Sequence, residues 1–184
     1  MDLGTPRALL ITGTCGSGKT TITTLLEQHG WNRVSEDEIW PHLFGKNRGP
    51  FGSEEHRAKR RQVHEIVFER VRSALAAGQR VAIDATVHEA PPEAFEEYRD
   101  FFDRHGIIWQ MRILHPALAV AVARDAGRLR GTLGAERVAE LHAKFTGLVF
   151  PKSWFLDTSE QSPAETASEL LYIEQSHKRL NDAD

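Results

Sequence analysis

With only one cysteine, Cys15, the chain cannot form an intramolecular disulfide, and it suits a reducing compartment. No apolar stretch approaches the roughly 20 residues that a transmembrane helix needs. No basic segment followed by an apolar core opens the chain, so a signal peptide is not expected. Internal repeats, low-complexity tracts and interdomain linkers are missing. The formal net charge is −3, too small and of the wrong sign for a field that would draw the chain to nucleic acid or a membrane. The histidines have no metal-ligand spacing, since His56 and His64 stand two helical turns apart. These absences lead to the expectation of one cytoplasmic domain over residues 1–184, long enough for a full core, with no membrane partner.

What the chain does have is an alternation of short apolar runs with helical stretches, the pattern of a parallel α/β sheet. Strands are expected at 8–12, 32–35, 80–84, 109–114 and 154–157. Helices are expected at 21–28, 37–43, 54–77, 91–104, 116–124 and 135–145, and from Ser162-Pro163 onward. In the third of these the apolar positions run from Val63 through Val67 and Val71 to Leu75. In the fourth, Phe95, Tyr98, Phe101 and Phe102 form the inward side. Residues 44–53, with three glycines and Pro50, read as a loop. The fold class is therefore α/β, a three-layer α/β/α sandwich on a five-stranded parallel sheet. In such sheets ligands sit beyond the carboxyl ends of the strands. The polar residues that end these strands converge there: Thr12, Ser35-Glu36-Asp37, Asp84-Ala85-Thr86 and Asp157-Thr158-Ser159.

One of these ends carries a specific motif. Gly13-Thr14-Cys15-Gly16-Ser17-Gly18-Lys19-Thr20 fits GxxxxGK[ST], lying between an apolar strand and a helix. Glycines let successive backbone N–H groups point at phosphate oxygens, and the helix N-terminus adds the positive end of its dipole. Lys19 is placed to reach β- and γ-phosphates, and the Thr20 hydroxyl to coordinate Mg²⁺. Asp84 ends an apolar strand, the Walker-B arrangement, and is the second candidate for Mg²⁺. Asp37 follows the second strand and is the candidate general base, with Glu36 and Glu38 as rivals. The bland alternative for Asp37 is a helix N-cap. Arg124 and Arg128, with Arg130 close behind, are candidates to close over the transferring phosphate. Trp40, Phe44, Asp84 and Thr86, with the cations His42, Lys46 and Arg48, are candidates for the acceptor wall. Packing of the aromatics against the long helix is an equal alternative. Lys59-Arg60-Arg61 reads as a solvated face balanced by Glu54, Glu55, Glu65 and Glu69. Cys15 lies inside the cradle, where its oxidation is a minor route to blocked nucleotide binding.

With these residues in order, the chain resembles the small P-loop kinases that include chloramphenicol phosphotransferase, zeta toxins and the kinase domain of bacteriophage polynucleotide kinase. The resemblance rests on Gly13 to Thr20, Asp37, Ile83-Asp84-Ala85-Thr86, Arg124-Asp125-Ala126-Gly127-Arg128 and Leu156-Asp157-Thr158-Ser159. It implies a nucleoside-kinase-like P-loop fold with a lid at about 124–134. It also implies Asp37 as base, Arg124 and Arg128 on the phosphates, and Thr158 and Ser159 near the adenine. The polynucleotide kinases carry an arginine three residues after the catalytic aspartate, where this chain has Trp40. A tryptophan cannot neutralise a phosphate but can stack on a ring, which favours a neutral acceptor with a ring. The expected activity is Mg²⁺-dependent transfer from ATP, with GTP as the other donor, to a hydroxyl of a small molecule. The alternatives are a polynucleotide 5′-hydroxyl kinase, in which Lys46 and Arg60 bind the strand, and a non-catalytic nucleotide switch.

Overall fold

The structure is a computed structural model and describes residues 7–87, 93–129 and 131–181, with side chains as far as residue 172. The expected helix opening at Pro91-Pro92 and the lid candidate Arg130 lie outside the described residues. The elements in chain order are β1 (Ala8–Gly13), α1 (Lys19–Gln28), β2 (Trp31–Ser35), α2 (Glu36–Phe44), α3 (Glu54–Ala76), β3 (Arg80–Asp84), α4 (Glu93–Arg104), β4 (Trp109–Leu114), α5 (Leu118–Ala126), α6 (Ala135–Thr146), β5 (Phe155–Leu156) and α7 (Pro163–Asn181).

All five strands are parallel and run in the order β2-β3-β1-β4-β5. The reason is visible in β1, where all six residues are buried, because both sheet faces are covered. Period-two alternation divides the strand between two cores. Leu9 and Ile11 meet Ile22 and Leu26 of α1 and Leu170 of α7. Ala8 and Leu10 face the other way, into a core built from Val63, Val67 and Val71 of α3 and Tyr98 and Phe102 of α4. Phe102 is fully buried and stacks on Trp109 at 4.9 Å, so its truncation to alanine is worth about 3–5 kcal/mol of stability.

Residue pairing fixes the carboxyl ends. Ile11 stands beside Asp84, Ser35 stands beside Asp84 from the other side, and Gly13 stands beside Leu114. The loop after β1 therefore leaves the sheet at its centre, next to the end of β3. Differences from the sequence expectation are local. The last strand is only Phe155–Leu156, because Trp154 closes a short 3₁₀ turn and Asp157 accepts the Ser159 N–H at 2.9 Å to turn the chain. Helix α5 ends at Ala126 with Gly127 as its C-cap, so Arg128 lies beyond the helix rather than on one helical face with Arg124.

Candidate active site

The loop of residues 13–18 wraps tightly between β1 and α1. A Cβ on Gly16 would lie 2.1 Å from the Ala121 carbonyl oxygen, and φ is +77° there. A Cβ on Gly13 would lie 2.3 Å from the Leu114 oxygen. Only glycine fits at either position. Lys19 folds over the loop, its Nζ donating to the Gly13 carbonyl at 2.8 Å and the Thr14 carbonyl at 3.3 Å. The Thr14 and Ser17 hydroxyl oxygens are buried in the loop with no hydrogen-bond partner. Buried hydroxyls are normally satisfied, so this pair fits a cradle built for a polar ligand.

Thr20 and Asp84, 64 residues apart in sequence, meet directly. The Thr20 hydroxyl donates to Asp84 Oδ2 at 2.8 Å. Asp84 is buried, and burial pushes its carboxyl up from the usual range. The Asp37 charge adds to that rise, while Lys19, the Thr20 hydroxyl and Arg33 oppose it. Two hard oxygen donors side by side are the donor set that Mg²⁺ takes.

Asp37 lies in the first turn of α2. Ser35 holds the N-cap position with extended backbone, so Asp37 is not the cap. Pro41, four residues on, has no N–H to offer the Asp37 carbonyl. The Asp37 carboxylate is exposed and accepts from Arg48 at 2.9 Å. Its rivals are otherwise engaged. Glu38 pairs with Arg33. Glu36 is buried and takes the Tyr98 hydroxyl at 2.7 Å, His64 Nε2 at 3.0 Å and the Thr86 N–H at 3.0 Å. Thr86 thus serves through its backbone.

Behind Glu36 runs a buried ionic chain that joins α2, α3 and α4. His64 also bonds Glu97 through Nδ1, and Arg60 donates to Glu97 and Glu93 at 3.1 Å each. Burial alone would lower the His64 pKa, but the bonds and charges of Glu36 and Glu97 outweigh it and raise it to about 9. Arg60 is therefore not on a solvated face: it is 4% exposed and ion-paired, which removes it from any strand-binding surface. Arg61 does lie outward, paired with Glu54, whereas Lys59 is 15% exposed, paired with Glu55 and folded over the Phe44 ring.

Of the two roles open to the aromatics, the structure shows packing against the long helix. Trp40 is 4% exposed, stacked on His56 at 5.5 Å and tilted against Phe44 at 5.7 Å. It is packed between α2 and α3 and offers no open face for an acceptor ring. Phe44 is half-buried against the same core, with Lys59 over its ring.

On the other side, a cleft of about 310 Å³ is lined by Gly16, Ser17, Gly18, Thr21, Arg124, Arg128, Thr158 and Gln161. Arg124 donates to the Thr158 carbonyl at 2.8 Å and reaches its hydroxyl at 3.3 Å. It braces the loop after β5 rather than standing free to close. Arg128 is the more open of the two, at 41% exposure. Thr158 lines the cleft. Ser159 is not in that lining: its oxygen accepts the Ala117 N–H at 2.8 Å and its hydroxyl donates to Asp157.

Asp125, between the two arginines, had no expected role. It is fully buried and accepts from the Cys15 thiol at 3.2 Å and from the Leu133 and Gly134 N–H groups at 2.9 and 3.2 Å. One carboxylate thus ties the phosphate loop to Leu133 and Gly134, at the start of α6. Burial disfavours its charge, but the Cys15 thiol, the two amides and Arg128 hold it below the usual carboxylate range. The Cys15 thiol is pushed up, first by burial and then by Asp125, which keeps it protonated and disfavours its oxidation. The sequence did hold a signal for Asp125, since an acid in the last turn of a helix opposes the dipole and needs a local reason to be there.

Comparison with known proteins bears on the fold. A family model described as an AAA domain matches residues 9–148. No curated protein matches the sequence significantly. Among solved structures, the tunicamycin resistance protein of Deinococcus radiodurans superimposes with a TM-score of 0.66 at 16% identity, over 91% of this chain and 95% of that one. A sugar kinase from Janibacter sp. HTCC2649 gives 0.64 at 19% identity, over 91% and 93%. A gluconokinase from Sinorhizobium meliloti 1021 gives 0.63 at 17% identity, over 97% and 95%. Among the described residues no helix is long and apolar enough to cross a membrane. The chain belongs to the AAA domain family, and its fold is that of the small P-loop kinases.

Proposed function

We propose that the protein is a cytoplasmic, single-domain kinase that moves the γ-phosphate of ATP to a hydroxyl of a small molecule. The observation that carries this reading is the meeting of strand ends. Thr20 bonds Asp84, Ser35 stands beside Asp84 in register, and the exposed carboxylate Asp37 follows Ser35 by two residues. Loop amides and Lys19 hold the phosphates. Thr20 and Asp84 would hold Mg²⁺, which when bound would supply charge neutralisation on the phosphate oxygens. Asp37 accepts the acceptor's proton as its oxygen attacks. The new bond to the γ-phosphorus forms as the bond to the β–γ bridging oxygen breaks, and ADP leaves. Arg128, the more open lid arginine, is the one placed to meet the transferring group, while Arg124 and Thr158 shape the cleft for the base. The names sugar kinase and gluconokinase support a small acceptor over a polymer. So does the burial of Arg60, which leaves the polynucleotide alternative without one of its two cations.

The test is transfer of labelled γ-phosphate, from ATP and from GTP in parallel, to a panel of sugars, hydroxy acids, nucleosides, hydroxyl antibiotics and 5′-hydroxyl oligonucleotides. ATP-dependent transfer to one small-molecule class supports the reading. Transfer to oligonucleotides alone contradicts the small acceptor. Nucleotide binding with no loss of γ-phosphate contradicts catalysis and favours the switch.

A further inference from the structure

The proposed base does not stand alone at the mouth of its crevice. Arg48 donates to Asp37 Oδ1 at 2.9 Å, with both side chains about half exposed. The guanidinium also lies over the Trp40 ring, 5.2 Å from its centroid. Trp40 is immobilised by core packing and by its stack on His56. The backbone on either side of Arg48 is pinned as well. Lys59 Nζ donates to the Asn47 carbonyl at 3.2 Å, Asn47 N–H donates to the Phe44 carbonyl at 3.0 Å, and Gly49 N–H donates to the Asn47 side chain at 3.1 Å. The position of the guanidinium is therefore set by a loop and a ring platform, and not by Asp37 alone.

This arrangement is unfavourable for a base facing a neutral acceptor. The guanidinium occupies Asp37 Oδ1, one of the two oxygens that the acceptor's hydroxyl has to reach. A neutral hydroxyl competes poorly for Arg48, because charge-assisted bonds are roughly twice as strong as neutral ones. An acceptor that brings its own carboxylate resolves the conflict. The planar guanidinium fork binds a carboxylate through two parallel bonds, which frees Asp37 for the acceptor's hydroxyl. Asp37, Glu38 and Asp84 already supply negative charge here, and the neighbouring cation Arg33 is engaged with Glu38, Thr23 and Asp84.

Resting on the kinase reading above, we infer that the acceptor is a hydroxy acid or sugar acid, whose carboxylate binds Arg48 while its hydroxyl faces Asp37. The anion contact that Trp40 cannot make is supplied from the 45–53 loop. During transfer the hydroxyl proton passes to Asp37, the oxygen–phosphorus bond forms, and ADP carries away the electron pair of the broken bond.

The experiment uses the full chain with Mg-ATP and acceptor pairs that differ only in charge: gluconate with glucitol, glycerate with glycerol, galacturonate with galactose. At least one acid is expected to be phosphorylated with kcat/KM tenfold or more above its neutral partner. Arg48→Gln is expected to raise the KM of that acid roughly ten- to hundredfold while kcat stays within a few-fold, and Arg48→Lys to recover part of the loss. Equal or better transfer to the neutral partners overturns the inference and leaves the kinase reading intact. Loss of γ-phosphate to water alone overturns the inference as well. A protein that binds Mg-ATP and never releases γ-phosphate fails the kinase reading itself.

Discussion

The buried ionic chain behind the base sets a measurable pH limit. His64 sits between Glu36 and Glu97, next to Tyr98 and one helical turn from Arg60. Its pKa is raised from 6.5 to about 9 in the folded protein. Between those values the folded state binds a proton that the unfolded chain does not, so stability falls as pH rises. The contribution is fully present below about pH 6.5 and is lost as pH passes through about 9. A shift of about 2.5 units at about 1.4 kcal/mol per unit gives roughly 3 kcal/mol. Exposure does not discount it, because the imidazole is buried. For a chain of this size that is a fall in Tm of roughly 6–12 °C. His64→Gln removes the titration and keeps a hydrogen-bonding side chain of similar reach. Urea denaturation of both proteins at intervals from pH 6 to pH 10 isolates the effect, since titrating groups that do not touch His64 cancel in the difference. Wild type is expected to be the more stable by about 3 kcal/mol at pH 6, with the gap closing by pH 10. A gap that stays constant across that range refutes the charged, buried imidazole.

Two further substitutions probe the phosphate side. Gly16→Ala places a methyl against the Ala121 carbonyl at a left-handed backbone position, so ATP affinity is expected to fall more than tenfold in a titration. Unchanged affinity would mean that the loop tolerates the clash by moving. Asp125→Asn removes the charge that accepts the Cys15 thiol and the Leu133 and Gly134 amides. It is expected to lower stability by about 1–3 kcal/mol and to weaken ATP binding along with it. Chemical denaturation and an ATP titration measure the two effects, and a variant equal to wild type in both rules out the tie between loop and lid.

Strands β3 and β4 fall at the residues expected because each is a short apolar run bounded by turn residues. The phosphate loop is legible because its glycines, lysine and threonine are contiguous. What escapes the sequence depends on contacts between elements. Trp40 fits either of two roles until α2 is packed on α3. Glu36, His64 and Glu97 lie on three separate helices, and no spacing along the chain pairs them. Arg60 is different, because its burial can be inferred. It falls on the same helical stripe as His56, Val63, Val67, Val71 and Ala74, all inward-facing, whereas Lys59 and Arg61 are rotated away from it. Reading the three cations as one basic run ignores that phase. Arg124 is the opposite case: its residue type suits a phosphate contact, but a loop carbonyl 34 residues away takes its guanidinium.

In the proposed reaction Asp37 takes the acceptor's proton while the cradle around Lys19 holds the nucleotide independently of it. The most direct measurement pairs the Mg-ATP dissociation constant with the single-turnover rate of γ-phosphate transfer, in wild type and in Asp37→Asn. Dissociation constants within about twofold of each other are expected, with a transfer rate lower by about 10²–10⁴-fold in the variant. An Asp37→Asn protein that transfers phosphate at the wild-type rate would contradict that role for Asp37.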